Sequence, residues 1–170
     1  MLFEMDMKDY ESMERIFSRP SVRSVIIKDG RVAMVHSLKY DYYKFPGGGI
    51  EEGETIHEAL IRETLEEAGL VVIPQSIREY GMVRRTEKSD RVDVDVFLQD
   101  NFYFLCEAEE ERASQSLDDY ELEEGFTLEF VTPEHAINTN RYQDHGPKSL
   151  VMLERENRVL ETLTDEGYFN

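Results

Sequence analysis

Basic residues are scarce in this chain: 19 Lys and Arg stand against 37 Asp and Glu, for a formal net charge of −18. A surface of that sign has no general attraction for nucleic acid or for an anionic membrane, so neither is expected as a partner. There is one cysteine, Cys106, which excludes an intramolecular disulfide. No apolar run approaches the ~18 residues that a membrane span requires. The first residues, MLFEMDMKDYESMERIF, lack the basic start and apolar core of a signal peptide. Repeats, low-complexity tracts and interdomain linkers are missing too. These absences favour a reducing cytoplasm as the location.

What is there suits one domain with a sizeable core: 170 residues, 40% of them hydrophobic. In residues 8–18 the apolar Met13, Ile16 and Phe17 recur at helical spacing, which predicts a short N-terminal helix ending before Pro20. That helix is expected to cap the domain, with a homodimer interface as the alternative. Residues 21–28 and 31–37 are β-rich and are joined by Asp29-Gly30, a hairpin signal. Residues 40–45 lead into Pro46 and three glycines, where the backbone can turn tightly or let a ligand approach. Further strands are expected at 77–85, at 101–106 and at 126–131, with a polar loop at 86–91. The alternation of Val92, Val94 and Val96 with Asp93 and Asp95 predicts another strand. Residues 107–112 and 114–124 read as exposed acidic turns. Thr132-Pro133 opens a short helix, and a longer one follows Pro147. Strands and helices are mixed, so the expected class is α/β with a mixed sheet.

The informative stretch is GGIEEGETIHEALIRETLEEAGL, residues 48–70. Thr55 and Glu58 form a T-x-x-E capping box, and Gly69 stands where a helix-ending glycine belongs. On that helix Glu63, Glu66 and Glu67 share one face at i, i+3 and i+4. Ile61, Leu65 and Ala68 lie on the other side and are expected to anchor it. Like charges so placed destabilise a bare helix by roughly 0.2–0.5 kcal/mol per adjacent pair, so a cation is expected among them. A divalent ion with a preference for oxygen ligands suits the group.

The same residues match a spacing of seven fixed positions: Gly48, Glu54, Arg62, Glu63, Glu66, Glu67 and Gly69. At ordinary residue usage, and after allowance for the acidic composition, chance would produce this about once in 10⁶ starts, which rules out coincidence. The pattern resembles the signature box of the Nudix hydrolase superfamily, whose members include MutT-like enzymes. Thr64 departs from it at a usually aliphatic site, which predicts altered packing rather than lost chemistry. The flanking YYKFPGGG and EEGFTLEFVTPEHAI also look like Nudix surroundings.

The resemblance implies a Nudix-type α/β/α sandwich, expected over residues 20–165, and the helical spacing read above makes residues 1–19 a helical extension to it. It implies hydrolysis of a phosphoanhydride bond in a nucleoside diphosphate linked to X, a nucleoside triphosphate or a nucleoside-diphosphate sugar such as ADP-ribose. Mg²⁺ or Mn²⁺ would be the cofactor and a small nucleotide the partner. Glu63, Glu66 and Glu67 are carried over as metal ligands, with Gly48 as the loop glycine beside them. Arg62 is carried over as an orienting partner and Glu54 as support for the loop. The general base is one of the box glutamates or a carboxylate from another loop, with Glu121 and Glu124 as first candidates. Arg84 and Arg85, with Lys88 and Arg91, form a basic cluster that either grips substrate phosphates or decorates a hairpin. A silent Nudix-fold nucleotide sensor is the rival reading. A Ca²⁺-binding protein is disfavoured because no EF-hand loop is present.

Overall fold

The computed structural model describes residues 1–170. In chain order the strands and helices are β1 (Phe3–Asp6), β2 (Ile16–Ser18), β3 (Ser21–Val25), β4 (Ile27–Lys28), β5 (Arg31–Ser37), β6 (Tyr42–Lys44), α1 (Ile56–Ala68), β7 (Arg78–Lys88), β8 (Val96–Leu105), α2 (Asp119–Glu124), β9 (Phe126–Val131), α3 (Pro133–Tyr142) and α4 (Leu150–Asp165).

Two sheets form. In one, β1, β7, β8 and β2 lie in that order, and β3 also pairs with β8. In the other, β5 is central, flanked by β4 and β6 and by β9. β5 shows why the fold is layered. Its Val32 and Met34 join a core shared with Val159, Leu160 and Leu163 of α4. Its Ala33 and Val35 join a core shared with Ala68 of α1 and with Phe126. Side chains alternate across a strand, so β5 is buried on both faces, between helices on either side. This is the α/β/α sandwich expected.

The N-terminal helix is not there, and residues 1–19 are not a helical extension. Phe3–Asp6 pairs in parallel with Val83–Thr86 of β7, and Ile16–Ser18 pairs with Val96–Leu98 of β8. Arg15 holds Asp95 at 2.6 Å, and Phe17 stacks on Phe97 at 6.0 Å. A short isolated helix is marginal in water, whereas the sheet edges offer unpaired backbone donors and acceptors. β2 and β3 share one register on β8 and are interrupted at Arg19 and Pro20. Proline has no N–H to give the ladder, so the strand breaks there.

Two other expectations fail nearby. β7 continues to Lys88, where a loop was expected, because it pairs with β8 as far as Lys88↔Val96. Residues 89–95 must then close the hairpin. The alternating valines therefore do not make a strand before Val96, and Val92 is 96% exposed.

Candidate active site

α1 has the predicted ends. The Thr55 hydroxyl accepts the Glu58 N–H, the Glu58 carboxylate accepts the Thr55 N–H, and Gly69 closes the helix in the left-handed conformation. Its buried stripe is not the expected one. Ala59, Leu60, Thr64, Glu67 and Ala68 are buried, while Ile61 and Leu65 are half-buried. Glu67 thus lies on the face that packs inward, and its carboxylate needs partners there. Lys44 of β6 supplies one at 2.6 Å, and the Gly47 N–H donates to the other oxygen at 3.0 Å.

Thr64 sits in the same stripe, and its hydroxyl has no hydrogen-bond partner. A buried unpartnered hydroxyl costs about 1–3 kcal/mol. Thr64→Val keeps the shape and removes that group. It should stabilise the protein by about 1 kcal/mol in denaturant melts and leave turnover unchanged, since the side chain faces the core.

The remaining box residues gather around Arg62. Its guanidinium donates twice to Glu54, at 2.7 and 2.9 Å, and also to Glu63 at 2.8 Å, Glu66 at 3.1 Å and the Gly49 carbonyl at 3.1 Å. This one side chain locks the loop to the helix and offsets three carboxylates. The Arg62 hydrogen bonds hold Glu54 below the usual carboxylate range. Glu63 moves the other way, pushed up by burial, with Arg62 pulling it partly back. The cause of its burial is Gly48: a Cβ there would lie 2.4–2.6 Å from the Glu63 carboxyl atoms. The Gly48 carbonyl is taken by the Val22 N–H at 2.9 Å, so what Gly48 gives the site is room. Gly48→Ala should displace the flexible end of Glu63 without unfolding the domain. Turnover is expected to fall by roughly tenfold or more, as befits a misplaced active-site group, with melting little changed.

Gly48, Arg62, Glu63, Glu66 and Glu67 line a cleft of about 570 Å³ between α1, β3 and α2, and Glu54 stands outside it behind Arg62. Six acidic and five cationic side chains face it, so the cleft is near neutral in a chain of charge −18. Glu121 enters the cleft from α2, and burial raises its pKa, opposed chiefly by the Asp118 N–H. Glu124 does not enter it. Tyr42 and Ser37 donate to its carboxylate at 2.6 and 3.0 Å, and Lys148 pairs with it. The two differ in their partners: these three hold Glu124, while Glu121 accepts the Asp118 N–H and the Tyr120 hydroxyl. Both are buried, against the expectation of exposed acidic turns.

Arg84 and Arg85 are not brought to the cleft. Arg84 pairs with Asp100 at 2.7 and 2.8 Å, and Arg85 pairs with Glu87 and lies over Phe97. They serve the β7–β8 hairpin. The cations that do face the cleft are Arg19, Arg23, Lys44, Arg62 and Lys148. All but Arg62 escaped the sequence reading. Arg19 stands at the strand break, against Gly49, and Arg23 is buried, with one N–H on the Gly47 carbonyl at 2.8 Å and its Nε unpartnered. The only local sign was the placing of Arg19 and Lys44 next to Pro20 and to the Phe45-Pro46 turn.

The donor set fits a hard divalent ion. Glu63, Glu66, Glu67 and Glu121 offer only oxygens to one cleft, and two cationic side chains already sit among them. No three acidic or histidine side chains converge as a closed cage. Mg²⁺ does not need one, since it keeps several waters and takes one or two carboxylates.

Comparison with known proteins bears on the family and the fold. An RNA pyrophosphohydrolase of Halorhodospira halophila is 41% identical over 68 residues, which is 39% of this chain and 36% of that protein. An ADP-ribose pyrophosphatase of Methanocaldococcus jannaschii is 34% identical over 71 residues, 39% of this chain and 40% of that protein. The match thus spans well under half the length of these curated relatives. A solved NUDIX hydrolase from Nitrosomonas europaea superposes with a TM-score of 0.58 at 20% identity, covering 84% of this chain and 90% of that one. No helix is long and apolar enough to cross a membrane. The NUDIX domain model matches residues 18–152, and with the box assembled around Arg62 as described, the chain belongs to the NUDIX family.

Proposed function

We propose that this protein is a pyrophosphohydrolase that cleaves a phosphoanhydride bond in a nucleoside diphosphate linked to X, with Mg²⁺ or Mn²⁺ held by Glu63, Glu66 and Glu67. The observation that carries the reading is one near-neutral cleft in which the α1 carboxylates face Glu121, with Arg19 and Arg23 beside them. The metal, when bound, neutralises polyphosphate oxygens and acidifies water. The chain does the rest. Arg62 fixes the carboxylates against the loop. Arg19 and Arg23 bind phosphate oxygens by charge-assisted hydrogen bonds. Water attacks phosphorus, its proton passes to a carboxylate, and the P–O bond to the departing phosphate breaks. Glu121 is the cleft carboxyl outside α1 whose burial raises its proton affinity, which improves it as a base near neutral pH.

The relatives act, by name, on RNA and on ADP-ribose, and a solved structure with TM-score 0.57 is a UDP-X diphosphatase. A net charge of −18 opposes a long polyanion. Small nucleotides are therefore the proposed class. The test is phosphate and pyrophosphate release with Mg²⁺, Mn²⁺ or chelator, over nucleoside triphosphates, sugar nucleotides, dinucleotides and a 5′-triphosphorylated oligonucleotide. Metal-dependent release from a small nucleotide is expected. Tight binding of nucleotides with no product in either metal would instead make the protein a sensor.

A further inference from the structure

Lys44 and Arg62 both sit among the α1 carboxylates, but they are held very differently. Arg62 has five hydrogen bonds, two of them to Glu54, which lies outside the helix. It cannot leave without freeing the loop. Lys44 has a single carboxylate partner, Glu67 Oε1 at 2.6 Å, and a long contact of 3.4 Å to the Gly47 carbonyl. Its ammonium faces the cleft, on a flexible four-carbon stem. From the same position the ammonium lies over the Phe126 ring, 5.1 Å from its centroid, and aromatic faces attract cations. The other Glu67 oxygen is taken by the Gly47 N–H at 3.0 Å. Glu67 therefore enters the free protein already neutralised and with both oxygens engaged, while Glu63 and Glu66 share one cation between them.

We infer that Lys44 is an internal competitor for the metal site: its ammonium holds Glu67, and a divalent ion gains that carboxylate only by displacing it. Two cations that compete for one buried carboxylate oppose each other's binding. The free protein accordingly binds divalent metal more weakly than its carboxylates alone would. The inference rests on the proposed metal role of Glu67 and adds a residue outside the box that tunes it.

The test reads metal binding, not turnover. Free Mn²⁺ is followed by electron paramagnetic resonance during titration of the unaltered protein, Lys44→Gln, Glu67→Gln and the double variant, without nucleotide. Lys44→Gln keeps a hydrogen-bond donor near Glu67 and should tighten Mn²⁺ by about fivefold or more, the lower end of ordinary coupling between sites. In the Glu67→Gln background the same change should do no more than the loss of any one cleft charge does. Lys148→Gln removes an equal charge from the cleft and should tighten Mn²⁺ less. Unchanged or weaker binding in Lys44→Gln overturns the inference, and so does tightening that is undiminished without Glu67 or no greater than in Lys148→Gln. If Glu67→Gln itself binds Mn²⁺ as the unaltered protein does, the metal role of Glu67 fails first, which separates the two failures. Should Lys44→Gln not fold, ¹⁵N-lysine spectra of the unaltered protein decide: the Lys44 ammonium signal must move in a saturable Mg²⁺ titration, and a stationary signal overturns the inference.

Discussion

Glu66→Gln should lower metal-dependent turnover by about two to three orders of magnitude, the size of effect seen when one charge-stabilising group leaves a site, and should barely move the melting temperature. Glu66 is the most exposed of the three box glutamates, and its one ion pair is with Arg62 Nη1 at 3.1 Å. Arg62 keeps Glu54, Glu63 and the Gly49 carbonyl when that contact is lost. A surface change of this kind alters stability by roughly 0.5 kcal/mol or less. The separation of activity from stability is the point of choosing Glu66. Glu67→Gln would also cut turnover, but it removes the partner of buried Lys44 and disturbs the fold locally. The check is kcat at saturating Mg²⁺ beside a thermal melt. Turnover within a factor of two of the unaltered protein would remove Glu66 from the metal site.

The second large effect lies behind the cleft. Arg155 and Glu156 of α4 are both fully buried. Arg155 donates to Glu156 Oε1 at 2.8 and 2.6 Å and to Gln99 at 3.1 Å. Glu156 also accepts the Tyr103 hydroxyl at 3.1 Å and the Phe45 N–H at 2.7 Å. Phe45 leads into the Pro46–Gly49 loop, so this buried carboxylate anchors the loop that gives Glu63 its room. Arg155→Met strands the charge and should cost about 3–5 kcal/mol, a fall in melting temperature of roughly 10 °C for a chain of this size. Arg155→Met with Glu156→Leu should recover only part of the loss: a buried pair exchanged whole for apolar packing is often neutral, but here the Tyr103 hydroxyl and the Phe45 N–H are left without their acceptor. Burial alone would raise the Glu156 pKa, but Arg155, Arg23 and the Phe45 N–H outweigh it, and the folded value lies below the ordinary one. Its stabilisation is therefore present above about pH 4.3, the unfolded value, and is lost as pH falls through the folded value. Denaturant melts between pH 7 and 3 should show that loss, and the double variant should show less of it.

Local signals were readable without the structure. The capping box, Gly69 and the Asp29-Gly30 hairpin depend on residues within a few positions of one another, and each forms where the sequence places it. The spacing of Glu63, Glu66 and Glu67 is likewise a property of one helix. In the folded chain Arg62 and Lys44 also lie among these carboxylates, one from the helix and one from a strand. Helical periodicity misled in residues 8–18, because Met13, Ile16 and Phe17 carry no sign that β8 leaves an edge open for them.

The sequence by itself determined that an acidic, glycine-hinged helix with a Nudix box stands at the centre of this protein. Tertiary structure decided which charges meet it. Glu121 enters the cleft and Glu124 does not, although they stand three positions apart, because Tyr42, Ser37 and Lys148 bind only the second. Arg19 and Arg23 reach the cleft while Arg84 and Arg85 spend their charge on a hairpin. The contacts that hold Glu124 join residues 24 to 87 positions apart, and the Arg84 pair joins residues 16 apart across β7 and β8, so their geometry exists only once the sheets have paired.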